Sequence, residues 1–138
     1  MSPVPRPVPR PAPWPELAAL YDTPPELSAC PLYYVHVDER DTSVTLGFET
    51  ARLPDRPEPD WEHGAYNTLR FFVVFTGVED LRMTGLAAGP PDGCDPVRLD
   101  AGGGGRLRVA VTGPSRSLSF SAAASAVTRT RVYLQGSL

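Results

Sequence analysis

The sequence predicts a mostly β fold: an antiparallel β-sandwich or a strongly curved meander sheet of about eight strands, with one or two short N-terminal helices. Three observations predict it. Apolar and polar residues alternate along short runs through most of residues 32–134. Turn formers separate those runs, and the 138 residues include 17 Pro and 12 Gly, about a fifth of the chain, against a usual share of roughly 12%. No helical pattern of about 10 to 15 residues falls between the runs, which argues against βαβ units and a parallel sheet. A chain of this length supports one domain around one core.

Residues 1–15 read as a separate proline-rich arm. Pro occupies every odd position from Pro3 to Pro15, so the arm is expected to be extended polyproline II or disordered. The single β-rich domain is expected over 16–138. Pro15 and Glu16 suit the first turn of a short helix that continues through Leu17, Leu20 and Tyr21. Thr23, Pro24 and Glu26 repeat that start signal, with Thr23 as cap and one further turn over Leu27 to Cys30.

The period changes to two at Leu32. Tyr33, Val35 and Val37 are expected on one face of a strand, with Tyr34, His36 and Asp38 on the other. Asp38 to Asp41 form a polar turn, after which Val44, Leu46 and Phe48 alternate with Thr45, Gly47 and Glu49, giving a hairpin. Asn67 to Thr76 is the strongest strand: Leu69, Phe71, Val73 and Phe75 share one face, Phe72 and Val74 the other. Apolar residues on both faces predict a central position. Shorter strands are expected around Leu81 and Met83, around Val97 and Leu99, over Leu107 to Val111, around Leu118 and Phe120, and over Val127 to Leu134. Gly89 to Gly93, Gly102 to Gly105 and Gly113 to Arg116 read as turns.

Several function classes lack their signatures. The longest apolar runs, such as Phe71 to Phe75, are far short of the roughly 18 to 20 residues a membrane span needs. The N-terminus shows no apolar signal-peptide segment, so a cytoplasmic location is expected. All 13 basic residues are Arg, a composition that suggests GC-rich bacterial coding DNA. Without Lys the chain cannot contain a P-loop. Cys30 and Cys94 read as two thiols, and with His36 and His63 they show no zinc-ligand spacing. No GxSxG elbow is present. Arg106, Arg108, Arg129 and Arg131 could line one face of adjacent strands, but the chain carries a formal charge of −3, which does not favour nucleic acid. No enzyme, cofactor or metal site is expected.

Charge is unevenly distributed. Residues 38–62 carry eight acids against three arginines, whereas 101–138 carry five arginines and no acid. Such asymmetry can steer a charged partner. The long connection over 50–66 contains Pro54, Pro57 and Pro59 with Asp55, Glu58, Asp60 and Glu62, and holds Trp61 and Tyr66. Aromatic side chains among charges suit a protein interface, so Asp55, Glu58, Asp60, Trp61, Glu62 and Tyr66 are the candidate partner-binding residues.

The order of several segments carries a family resemblance. Leu-Tyr-Asp-Thr-Pro-Pro-Glu-Leu (20–27) leads to a hairpin over 35–49 and to Leu-Pro-Asp-Arg-Pro (53–57). Trp61, Tyr66-Asn67-Thr68, a hydrophobic strand and Phe75-Thr76-Gly77-Val78-Glu79-Asp80-Leu81 follow, with Gly85 beyond. Over roughly residues 17–134 this resembles the immunity protein 50 family of bacterial polymorphic toxin systems. The resemblance implies a non-catalytic antidote that needs no cofactor and binds and neutralises a cognate toxin domain. The acidic loop suits a basic toxin, for which a nuclease is one fitting class. Two other readings are a β-sandwich ligand- or carbohydrate-binding module, with Tyr34, Trp61 and Tyr66 as its loose aromatic candidates, and a scaffold that works through the proline arm. No direct contact with nucleic acid or membrane is implied.

Overall fold

The computed structural model describes residues 14–61, 64–85, 96–114 and 116–134. Most of the proline arm, Glu62 and His63, the turn over 89–93 and Cys94 lie outside the described residues. The described chain contains eight strands, all paired antiparallel, in two four-stranded sheets. The first sheet has the order β1 (Leu32–Asp38), β2 (Ser43–Thr50), β3 (Thr68–Thr76), β8 (Ala124–Tyr133). The second has the order β4 (Glu79–Thr84), β7 (Ser117–Ala122), β6 (Leu107–Thr112), β5 (Val97–Ala101). Of the two architectures the sequence allows, the chain adopts the sandwich.

Alternation builds the core. Val44, Leu46 and Phe48 of β2 and Leu69, Phe71, Val73 and Phe75 of β3 are fully buried. From the second sheet, Val97, Val109, Val111, Leu118, Phe120 and Ala122 join the same cluster. The Phe75 and Phe120 rings meet edge-on at 5.3 Å across the two layers, and Phe48 stacks on Phe71 at 5.3 Å. Strand β3 is central, as its apolar residues predict. Its second face is not buried under another layer, however: Phe72 and Val74 are only half-buried.

The chain crosses between the sheets twice, after β3 and after β7. The two crossings touch, with the Ala123 amide donating to the Thr76 carbonyl at 2.9 Å. Gly77 has φ +63, and a Cβ there would come within 2.7 Å of the Ala123 Cβ. Only glycine satisfies both the left-handed backbone and the close approach. Arg106 ties the region together, donating to the Gly77 carbonyl at 2.5 Å and to Ser121 Oγ at 2.6 Å.

Helix α1 (Pro15–Leu20) begins at the predicted proline and buries Leu17 and Leu20, with Tyr21 buried just beyond. The i, i+3, i+4 spacing of these three makes one apolar face. Trp14 precedes the helix, half-buried, and its Nε1 donates to Ser125 Oγ at 3.0 Å. The second helical turn departs from expectation. It is a 3₁₀ turn over Leu27–Ala29 with Glu26 at its N-terminal boundary, and Thr23 does not cap it. Pro25 explains the shift, since a residue before proline is driven out of the α region and Pro24 therefore cannot open a helix.

Candidate interaction surface

The first sheet leaves its outer face open, and there the structure departs most from simple alternation. Leu32 pairs with Phe48 and Tyr34 with Gly47, so Tyr33 is the extra residue of a β-bulge. The bulge sends Tyr33 outward beside Tyr34 instead of inward beside Val35 and Val37. Both tyrosines are exposed, at 39% and 41%.

Around them the outer positions form one aromatic cluster. Tyr34 meets Phe72 edge-on at 5.5 Å, Tyr33 meets Phe72 edge-on at 6.1 Å, and Tyr34 stacks on His36 at 6.3 Å. Each such pair contributes about 0.5–1.5 kcal/mol beyond its buried area. Gly47 lies beneath: a Cβ there would sit 2.8 Å from Tyr34 Cβ and 2.9 Å from Phe72 Cε1. The missing side chain lets the two rings close over β2.

Arg70 fixes one end of the cluster. Its guanidinium donates to Glu49 Oε1 at 3.0 and 3.2 Å, and its carbon lies 4.6 Å from the Tyr33 ring centre and 4.2 Å from that of Tyr133. Burial raises the pKa of both tyrosines, with the Glu49 charge adding to the effect and Arg70 opposing it. Burial works against the Arg70 charge, but Tyr133, Glu49 and Tyr33 outweigh it and hold Arg70 firmly protonated. The Tyr133 hydroxyl is buried between Glu49 and Arg70 without meeting hydrogen-bond geometry to either.

Register places two more arginines on this face. Arg129 lies opposite Phe72, and Arg131 lies opposite Arg70. Both are exposed, and neither pairs with a carboxylate among the described residues. Arg106 and Arg108 belong to the second sheet, so the four arginines do not line one face of adjacent strands.

The acidic connection between β2 and β3 is held to α1. Arg56 donates to the Ala18 carbonyl at 2.9 Å and to the Ala19 carbonyl at 3.1 Å, and it pairs with Asp22. These are carbonyls that a helix end leaves without intrahelical partners. Asp55 is exposed, and its carboxylate accepts the Asp22 amide at 2.9 Å. Glu58 and Asp60 are exposed, and their carboxylates make no side-chain hydrogen bond or ion pair among the described residues, although the Glu58 carbonyl accepts the Trp61 amide at 2.9 Å. Trp61 ends a 3₁₀ turn over Pro59–Trp61 and packs, half-buried, against the core. Tyr66 is half-buried, and Glu62 lies outside the described residues. The loop therefore presents Glu58 and Asp60 freely, engages Asp55 internally and turns Trp61 toward the core.

Sequence reasoning singled out Tyr34 but missed Tyr33, Arg70 and Phe72 as surface groups. Alternation assigns Tyr33 to the core, and an apolar residue on each side of β3 reads as two-sided burial. Gly47 in the middle of a strand was the available signal, because such a glycine often marks a close approach.

Among the described residues no group of three or more His, Cys, Asp or Glu side chains could hold a metal ion. No helix among them is long and apolar enough to cross a membrane.

Fold and surface together define an antiparallel two-sheet sandwich that displays a rigid aromatic and arginine face beside an acidic loop. The Immunity protein 50 family model (Imm50) matches residues 15–133, most of the chain. This protein belongs to the Immunity protein 50 family, whose name places it among immunity proteins. No curated protein and no solved structure matches the chain.

Proposed function

We propose that this protein is a bacterial cytoplasmic immunity protein that binds a cognate toxin domain and neutralises it without performing chemistry. The family match over residues 15–133 carries this reading. The displayed surface supports it, because Tyr and Arg side chains on a rigid scaffold are the groups that dominate protein interfaces. In the acidic loop, Glu58 and Asp60 are the acids with charge to spare, and they steer basic groups of the partner during encounter. A basic nuclease domain is the toxin class that such acids fit. Asp55, Trp61, Glu62 and Tyr66 contribute to the loop's contact, with Asp55 and Trp61 also holding its shape.

Co-expression with the toxin domain encoded beside its gene tests the reading. The expected outcome is that cells killed by the toxin domain alone grow when this chain is present, and that the two copurify. Continued killing at equal expression overturns it. Replacing Glu58 and Asp60 by Gln and Asn is expected to slow association several-fold at low salt, and an unchanged rate removes the loop from the contact.

One observation favours a second reading, a carbohydrate- or ligand-binding module: the exposed ring pair Tyr33 and Tyr34. A glycan-binding screen with a Tyr34→Ala control separates the two.

A further inference from the structure

We propose that the outer face of the first sheet is the docking surface for the toxin domain, and that the patch it receives is acidic: an apolar ridge seats on Tyr33, Tyr34 and Phe72 while carboxylates pair with Arg129 and Arg131. This deepens the neutralisation reading and rests on it: the toxin domain's acidic patch meets this face, while its basic groups meet Glu58 and Asp60 of the loop.

Three observations point there. The first is the display of aromatic surface: two tyrosines that alternation and a bulge-free register would have divided are both outside, and Gly47 holds Tyr34 against Phe72. Edge contacts and the Arg70 guanidinium hold the rings in place before any partner arrives. A surface already ordered loses little side-chain entropy on binding.

The second is the charge account of the face. Its acids are already engaged, Glu49 by Arg70 and Asp38 by Arg40. Arg129 and Arg131 remain exposed, without a carboxylate among the described residues, on a chain whose overall charge is −3. Arg131 even sits opposite another arginine in register, a repulsive placement that the fold alone does not call for. Planar guanidinium groups are suited to bidentate capture of carboxylates.

The third is what the face excludes. A nucleic-acid strand is a continuous row of phosphates, and following the sheet it would meet the acids of the connection after β2, on a protein with a pI near 5.3. A second copy stacked on this face would bring arginines onto a surface whose acids are already paired. An acidic protein patch differs from both, because its carboxylates can be confined to the positions of Arg129 and Arg131 and kept clear of the loop acids.

The test uses the full chain and the toxin domain encoded beside its gene, with binding followed by surface kinetics. Two double variants are compared, Arg129→Glu with Arg131→Glu, and Tyr33→Ala with Tyr34→Ala, each checked for an unchanged circular dichroism spectrum. The charge variant alters exposed groups only and keeps the test decisive should the tyrosine variant unfold. The expected result is binding weakened at least about tenfold in each, chiefly through slower association for the arginines and faster dissociation for the tyrosines. Either folded variant binding within about twofold of the unmodified chain overturns the proposal, as does a self-associating chain or a 20-nucleotide single strand whose binding the same variants abolish. If the unmodified chain neither binds the toxin domain nor protects cells, the neutralisation reading itself falls and this proposal falls with it. Protection that survives both variants removes only the docking face.

Discussion

At Gly47 the absence of a side chain shapes both stability and the displayed face. Tyr34 Cβ and Phe72 Cε1 already occupy the space a methyl would need, and Tyr34 Cβ is fixed to the backbone of an adjacent strand. Gly47→Ala is therefore expected to destabilise the protein by about 1–3 kcal/mol, in the range of an overpacked site. Thermal unfolding should show a midpoint several degrees lower, and toxin affinity should fall with it because the rings part. Tyr21 gives a residue-scale prediction of another kind. Its ring is buried, its hydroxyl donates to the Arg52 carbonyl at 2.6 Å, and burial, aided by Cys30, pushes its pKa from 10.0 up to about 12. A raised value means that the folded protein keeps a proton the unfolded chain gives up. The corresponding stability is fully present below pH 10 and is lost as the pH rises through 12, at most about 2–3 kcal/mol. Urea unfolding at pH 7, 10 and 12 should show this decline. Tyr21→Phe should flatten it, while costing about 1 kcal/mol at pH 7 for the lost hydrogen bond.

A six-residue helix is too short to persist alone, so α1 depends on what surrounds it. Its apolar face enters the core through Leu17, Leu20 and Tyr21. Its C-terminal carbonyls are met by Arg56 from a connection more than thirty residues away in sequence. The same arginine therefore stabilises a helix end and shapes the acidic loop. Arg56→Ala is expected to cost only about 1 kcal/mol, since the side chain is half-exposed. The effect should be local. Hydrogen exchange should accelerate over residues 17–21 and 52–61, with the amides of β2 and β3 unchanged. Uniform acceleration across the sheets would show that the helix and loop are not an independently opening unit.

Across the whole molecule the two sheets divide the work. Both contribute their inner faces to one core, and the outer face of the first carries aromatic and basic groups that no further layer among the described residues covers. The described chain begins at Trp14, which packs on the core, and the family match begins at residue 15. The neutralisation reading predicts that the proline arm contributes little to function. A chain lacking residues 1–13 is expected to protect cells as well as the full chain and to melt within about 2 °C of it, a shift below about 1 kcal/mol. Loss of protection would instead support the scaffold reading. Much of this organisation was legible in advance: period-two alternation from Leu32 onward gave the strands, and the residues of β3 gave its central place. The surface was less legible, because outward direction at Tyr33 depends on pairing with β2, and residues on one strand do not announce their register with another.

By itself the amino-acid sequence determined the class of fold, the run of strands, the proline that opens α1 and the asymmetric charge. These follow from local rules, namely the two-residue period of a strand, the restricted backbone of proline and the turn preference of glycine. Tertiary structure alone decided three things. It chose a two-layer sandwich over a single curved sheet, because that choice depends on which faces meet across the core. It placed Tyr33 outside through a bulge, because a bulge is a mismatch between two strands and belongs to neither sequence. It turned Trp61 inward while leaving Tyr34, Arg129 and Arg131 displayed, because burial depends on what packs above a residue and not on the residue alone.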